Sequence, residues 1–407
     1  MWVRQQRNVR SLILGTSVGL SVPVLDFDGA NDRLLNSGNS GVMSTVGGDS
    51  TYNNITIFVV AAVGSQPNGW RAFLSGKPTA VASNDWQLGF TMDLGNTTNL
   101  PNWDRLNYEG RQTSGAKDLH LTSNTFDTSH VLTIDANAAY NIATLYINGA
   151  THGSTVAPPT GGFLNGANVV DIAQLRVGGR FFGGNEQGYI DAAFAKVVLY
   201  EGNLNTAERI IVENNLTAAT GASLGTGDRY AGDTLANGDY DLDVIGIGRV
   251  DSTNALIDTT SISGLRIQED GGSLTDGDFL LAGHNVDANT LVAFGAGDRW
   301  SRVWYLDKSD GAAIDAMLSF DFSDADLVPP LPTDLVNLLY SPTDPFSFST
   351  LSLPAIVSGD TFTFNVPDGL LLDGYYTLEV HAVPEPASVI VFVIGSMLIC
   401  PLLRRRR

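Results

Sequence analysis

The chain has one cysteine in 407 residues, Cys400, so it can form no internal disulfide and no cysteine cluster for zinc or iron–sulfur. Charge is also scarce, at 16% Asp, Glu, Lys and Arg together. The polar surface must then be carried by Asn, Thr, Ser, Gly and Asp, the composition of a turn-rich β protein. Basic residues are fewer still, 23 against 43 acids. Seven of the 23 are arginines at positions 4, 7, 10 and 404–407, in end segments whose only acid is Glu385. The body is therefore more acidic than the net charge of −20 indicates. Such a surface repels phosphate backbones and argues against nucleic acid as a partner, while it suits divalent cations.

Familiar catalytic patterns are missing. The five histidines show neither HExxH nor paired metal spacing, and no Gly-rich phosphate loop precedes a Lys-Ser/Thr pair. Gly-x-Ser-x-Gly occurs around Ser17 and Ser223, but neither lies between a buried strand and a helix as a nucleophile elbow requires.

What is present is strand after strand. Segments 55–63, 86–95, 130–150, 172–179 and 188–202 alternate apolar and polar residues between Gly, Asn, Asp and Pro clusters. One helix is predicted over 205–216, where Asn205 and Glu208 have capping-box spacing. Residues 219–238 read as a connector. Eight further short β runs occupy 239–382. The expected architecture is all-β, with two antiparallel β-sandwich domains at 24–218 and 239–382. In the second, RWSRVWYL places Trp300, Arg302 and Trp304 on one face, and Asp239, Asp241 and Asp243 alternate on another strand.

The opening VLDFDGANDRL (24–34), TLYINGA (144–150) and IDAAFAKVVLYEGNLNTAERIIVENNL (190–216) resemble the LamG-like, concanavalin A-like jelly roll, in family order. The resemblance implies a sandwich that hosts lectin-like binders and some glycan hydrolases. Retaining hydrolases of this type carry Glu-x-Asp-x-Glu or Glu-x-Asp-x-x-Glu on one strand, with the pair about 5 Å apart. Neither pattern occurs, and Glu109, Glu186, Glu201, Glu208 and Glu213 are isolated. Trp70, Trp86, Trp103, Phe181 and Phe182, beside Gly- and Asn-rich loops, are the candidate sugar-stacking residues. Asp28, Asn31 and Asp32 are a candidate Ca²⁺ site, or else the turn closing the first strand. The second half is similar to a β-domain that follows LamG modules in bacterial surface proteins, through VIGIGRVDSTNAL (244–256), FLLAGHN and RWSRVWYLD.

The end of the chain carries a different message. Residues 387–403 are uncharged and end in Arg404, Arg405, Arg406 and Arg407, the pattern of a short transmembrane helix with a cytoplasmic stop. Pro384-Glu385-Pro386 before that span makes 383–407 resemble a PEP-CTERM sorting signal, which implies processing by an exosortase. The chain is thus expected to be an inner-membrane precursor that is exported to the cell surface or extracellular matrix. Such a tail requires an export leader. Residues 1–23 offer a basic start and a weak apolar stretch, consistent with a weak leader or a late-starting chain. The expected function is non-catalytic glycan binding or adhesion, with extracellular polysaccharide as partner. The alternatives are a divergent glycan hydrolase and a purely structural matrix protein.

Overall fold

The computed structural model describes residues 20–36, 50–52, 54–64, 70–77, 90–95, 105–110, 128–137, 142–156, 170–172, 174–286, 289–309, 312–331 and 334–382. Trp86, Trp103, Pro384, Glu385, Pro386, Arg404–Arg407 and the expected span 387–403 lie outside the described residues. Among the described residues, no helix is long and apolar enough to cross a membrane. The chain forms two compact units. One comprises residues up to Asp233 with Gly248–Leu256, and the other Thr234–Ile247 with residues from Ile257 on. Both are built almost wholly of antiparallel sheet.

In the first unit a six-stranded sheet runs Leu25–Asp28, Asp191–Glu201, Asn54–Val63, Ser129–Asn137, Ile142–Ile147, Ala150–Val156. A five-stranded sheet runs Leu34–Asn36, Gln174–Val177, Arg71–Lys77, Phe90–Gly95, Arg105–Gly110. One core joins them, with Ile57, Val59, Ile134 and Leu145 from the larger sheet and Phe73, Phe90, Met92, Leu106 and Val177 from the smaller. Each such side chain contributes about 1.5–3 kcal/mol by leaving water.

Strand Asn54–Val63 departs from the expected half-burial, because every residue from Ile55 to Val63 is buried. Ile57, Val59 and Ala61 enter the inter-sheet core, whereas Phe58 and Val60 pack with Val131, Leu216 and Leu224 behind the sheet. The helix Thr206–Thr220 supplies that second cover, which is why the run IFVVAAV is apolar throughout. Asn205 caps the helix and Glu208 returns the bond to the Asn205 N–H at 2.7 Å, closing the box expected from their spacing. The helix continues past 216 to Thr220 and stops at Gly221, which adopts the left-handed conformation. Beneath it Arg209 and Glu213 pair in the interior, Thr133 Oγ1 donates to Glu213 Oε1 at 2.8 Å, and the Arg209 guanidinium lies 3.9 Å from the Tyr146 ring centre.

The connector is ordered rather than loose: Leu224 and Tyr230 are buried, and Asn214 ties it to the helix through Gly227 O and the Arg229 N–H.

In the second unit, strand Gly374–His381 pairs with Leu335–Ser341 along one edge and with Trp304–Lys308 and Gly297–Trp300 along the other. Phe279–His284 and residues 242–247 of strand Leu242–Asp251 extend this sheet. The facing sheet runs Asp258–Thr260, Leu265–Glu269, Ala316–Asp321, Thr361–Val366, Ile356–Ser358. The expected single strand over 298–307 is two strands, broken at residues 301–303. The facing pattern survives the break. Trp300 and Trp304 both enter the core, and Tyr305 packs with Tyr240 and Tyr375 at ring separations of 6.0 and 5.2 Å. Asp239, Asp241 and Asp243 do not alternate along a strand face. The strand starts at Leu242, and Asp239 and Asp243 have φ of 66° and 49°, which redirects their side chains.

Candidate functional site

On the five-stranded sheet of the first unit, Phe90, Met92 and Leu94 point into the core, so Thr91 and Asp93 point away from it. Both are nevertheless fully buried. A small hairpin lies over them. Its strands Arg180–Phe182 and Asn185–Gln187 pair Arg180 with Gln187, Phe181 with Glu186 and Phe182 with Asn185. The turn is Gly183-Gly184 with φ of 59° and 80°, the two left-handed residues that a tight hairpin turn demands. Gln187 Nε2 donates to Phe182 O at 2.7 Å and Asn185 Nδ2 to Gly183 O at 3.1 Å.

Three contacts fasten the hairpin to the sheet. Arg180 forms an ion pair with Asp93, their side chains 3% and 0% exposed. Arg176 donates from Nε to both Glu186 oxygens, at 2.9 and 3.0 Å. Ser75 Oγ donates to Gly179 O at 3.0 Å. Strand Arg71–Lys77 is held as well, by Ala72 N–H to Gly188 O at 2.9 Å and Arg71 Nη1 to Tyr189 O at 3.0 Å. Gly188 is needed there: its φ is +65°, and a Cβ would come within 2.7 Å of the Arg180 side chain and 2.9 Å of Trp70 O.

The hairpin's two faces do different work, as period-two alternation requires. One face turns Phe181 and Glu186 toward the sheet's cations. Lys77 Nζ lies 4.2 Å and the Arg176 guanidinium 5.7 Å from the Phe181 ring centre. The other face, with Arg180, Phe182 and Gln187, borders an open cleft of about 330 Å³ that is completed by Trp70, Arg71, Gly188 and Tyr189. Phe182 is 44% exposed, and the Arg180 guanidinium sits 5.3 Å from its ring centre. Burial lowers the pKa of Arg71 below the usual guanidinium value.

Of the residues singled out from the sequence, Trp70 and Phe182 meet at this cleft and Phe181 lies on the reverse face of the same hairpin. Asp28, Asn31 and Asp32 lie elsewhere, at the turn after the first strand. There Asp32 Oδ2 accepts the Asp28 N–H at 3.1 Å and Asp28 Oδ1 the Ala30 N–H at 2.9 Å. Desolvation raises the pKa of Asp32, and it raises that of Asp191 too, with the charges of Asp26 and Asp28 adding to the effect. No group of three or more His, Cys, Asp or Glu among the described residues is arranged to hold a metal ion. Sequence reasoning missed Arg71, Arg180, Gln187 and Tyr189. The tight-turn signal Gly183-Gly184 between short β runs would have found the hairpin that gathers them.

Among the described residues, Asp93 is paired with Arg180, and Glu186 with Arg176 and Arg33. Glu208 serves the helix cap and Glu213 the interior pair with Arg209. In the second unit Asp243, Ser263 and His284 come together, but not with the roles of a hydrolytic triad. Ser263 Oγ donates to Asp243 Oδ2. His284 Nε2 lies 3.1 Å from that same hydroxyl and 3.7 Å from the same carboxylate oxygen. A triad needs the acid on the other ring nitrogen. Nδ1 of His284 is buried with no partner. The cluster ties the 261–263 loop to the strand, and the bond with His284 holds the Asp243 carboxyl below its usual range.

No protein-family model matches the chain, and no curated protein matches it. Among solved structures, it is similar to the heptameric SAP-like pentraxin of Limulus polyphemus, with 12% identity and a TM-score of 0.33 over 44% of this chain and 76% of that one. It is also similar to a Ruminococcus gnavus sialidase CBM40 bound to α2,3-sialyllactose, with 14% identity and a TM-score of 0.29 over 38% and 79%. The binding domain of botulinum neurotoxin serotype D/C gives 10% identity and a TM-score of 0.34 over 90% and 87%.

Proposed function

We propose that this chain is an exported bacterial surface or matrix protein whose first unit binds glycans, without catalysis, in the cleft beside the Arg180–Gln187 hairpin. The supporting observation is the cleft's rim: Trp70, Phe182 and Tyr189 surround an open space that Gln187 and two arginines also border. Sugar rings present apolar C–H faces and hydroxyl edges, so a site for them combines aromatic surfaces with a few fixed polar groups. Export rests on the sequence alone, on Pro384-Glu385-Pro386, the uncharged run 387–403 and the terminal arginines, and the partner that would process this tail is an exosortase.

Screening the purified full-length protein against a glycan array, with a parallel assay for reducing-end release, tests the reading. Saturable binding that Trp70→Ala weakens, with no release of reducing ends, is expected. Turnover abolished by replacing a single glutamate would replace binding with hydrolysis. A flat array would leave a structural matrix role.

A further inference from the structure

The second unit has a groove of its own. Along its five-stranded sheet, Leu265, Ile267, Leu318, Phe320, Phe362 and Phe364 enter the core, so the residues between them point out of the sandwich. Cross-strand register lines those residues up. Thr260, Arg266, Ser319 and Thr363 form one row across four strands. Asp321, Thr361 and Ser358 form the next. Both rows line a polar groove of about 380 Å³, and Asp324, from the turn after Asp321, lines it too. Gly264 admits that turn: its φ is +90°, and a Cβ would come within 2.5 Å of Asp321 O and 2.9 Å of the Ala325 side chain.

The groove's polar groups are fixed by one another and keep spare capacity. Asp321 accepts from Thr361 Oγ1 at 2.8 Å and from Ser323 Oγ at 2.9 Å, and the Ser319 and Thr363 hydroxyls bond at 2.8 Å. Arg266 gives Nε and Nη2 to the two oxygens of Asp258, which leaves its Nη1 without a partner among the described residues. The side chains of Thr260, Ser358 and Asp324 also have no partner there, and all three residues are exposed. Neighbouring strands lie about 4.8 Å apart, so donors and acceptors alternate closely across the floor. A sugar hydroxyl both donates and accepts, and suits such a surface. Among the described residues no aromatic side chain lines the groove, so recognition falls on hydroxyl edges and not on ring faces. The charged lining is Asp321, Asp324 and an Arg266 already paired with Asp258, a balance that disfavours anions.

We propose that the second unit carries a saccharide site of its own, a groove that takes a neutral sugar by its hydroxyl edges, with Arg266 Nη1 donating to it and Asp324 accepting from it. The inference stands apart from the cleft of the first unit, which shares no residue with this groove.

The test follows amide hydrogen exchange and affinity in the full-length protein carrying Trp70→Ala, so that the first-unit cleft is weakened. The probes are xylohexaose, cellohexaose, maltohexaose and a galacturonate of equal length. At least one neutral probe is expected to slow exchange in 260–266, 319–325 and 358–363. Arg266→Gln and Asp324→Ala, both at exposed positions, should each weaken that binding about tenfold, the loss expected of one hydrogen bond to a charged group, with no shift in melting temperature. Protection confined to the first unit, or given by no neutral probe, would overturn the site. Unchanged affinity in either variant would overturn its placement at Arg266 and Asp324. Tighter binding of the galacturonate would overturn the neutral class. Protection of the groove in a protein whose first-unit cleft binds nothing would uphold this site while that other reading fails.

Discussion

Asp93 and Arg180 stand 87 positions apart in the chain and form an ion pair whose side chains are 0% and 3% exposed. The aspartate comes from the outer face of a sheet strand and the arginine from the hairpin that covers it. One contact therefore closes over the sheet and fixes a wall of the cleft.

Removing one partner leaves the other buried without its ion pair. Asp93→Asn is expected to destabilise the first unit by about 3–5 kcal/mol. Pairing it with Arg180→Met should recover much of the loss. Urea unfolding of the single and double variants measures both, and a cost under about 1 kcal/mol for Asp93→Asn would show that the pair does not secure the hairpin.

Gly183 and Gly184 have nothing within 4 Å of where a Cβ would sit, so any penalty there is conformational. Replacing both with alanine should cost about 1–2 kcal/mol per residue in the turn. Ligand affinity and amide protection in 180–187 should fall, and the thermal transition of the first unit should shift down by a few degrees. Unchanged binding would detach the hairpin from the site.

Asp191 titrates above the usual carboxylate range because burial, with Asp26 and Asp28 next in order, disfavours its charge. A carboxyl whose folded pKa is raised binds more protons folded than unfolded between the two values. Stability is therefore lost as pH rises from the ordinary value of 3.8 through the folded one. Asp191→Asn should raise the melting temperature at pH 7, and the gain should vanish below pH 3.8. A gain that persists undiminished at pH 3 would point to packing instead of charge.

Arginines do not attract cations, so ligand binding at the cleft should survive chelation. Titrations in EDTA and in added Ca²⁺ are expected to give equal affinities. Loss of binding on chelation would bring a calcium site back into the mechanism.

Much of the fold was legible because it is written locally. Period-two alternation in the first unit and the regularly spaced β runs of the second located many of the strands, though not Arg71–Lys77, Arg105–Gly110 or Leu335–Ser341, and Asn205 with Glu208 located the helix start. What was not legible depended on cover from distant chain. Half-burial was expected for Asn54–Val63, since nothing in that segment announces the helix behind it. Trp70 and Phe182 stood out as exposed-loop aromatics, but their partnership needed the hairpin to fold back over the sheet. Arg71 and Arg180 had no periodic signature, and their meaning comes from Asp93 and the Tyr189 carbonyl.

The most direct measurement is the calorimetric affinity of the wild-type chain and of Phe182→Ala for the best array ligand. Phe182 is exposed, so its removal should leave the fold intact. Loss of a stacking aromatic is worth about 0.5–1.5 kcal/mol beyond its buried area, so affinity should fall about tenfold or more with no shift in melting temperature. Equal affinities for the two proteins would contradict a glycan site at this cleft.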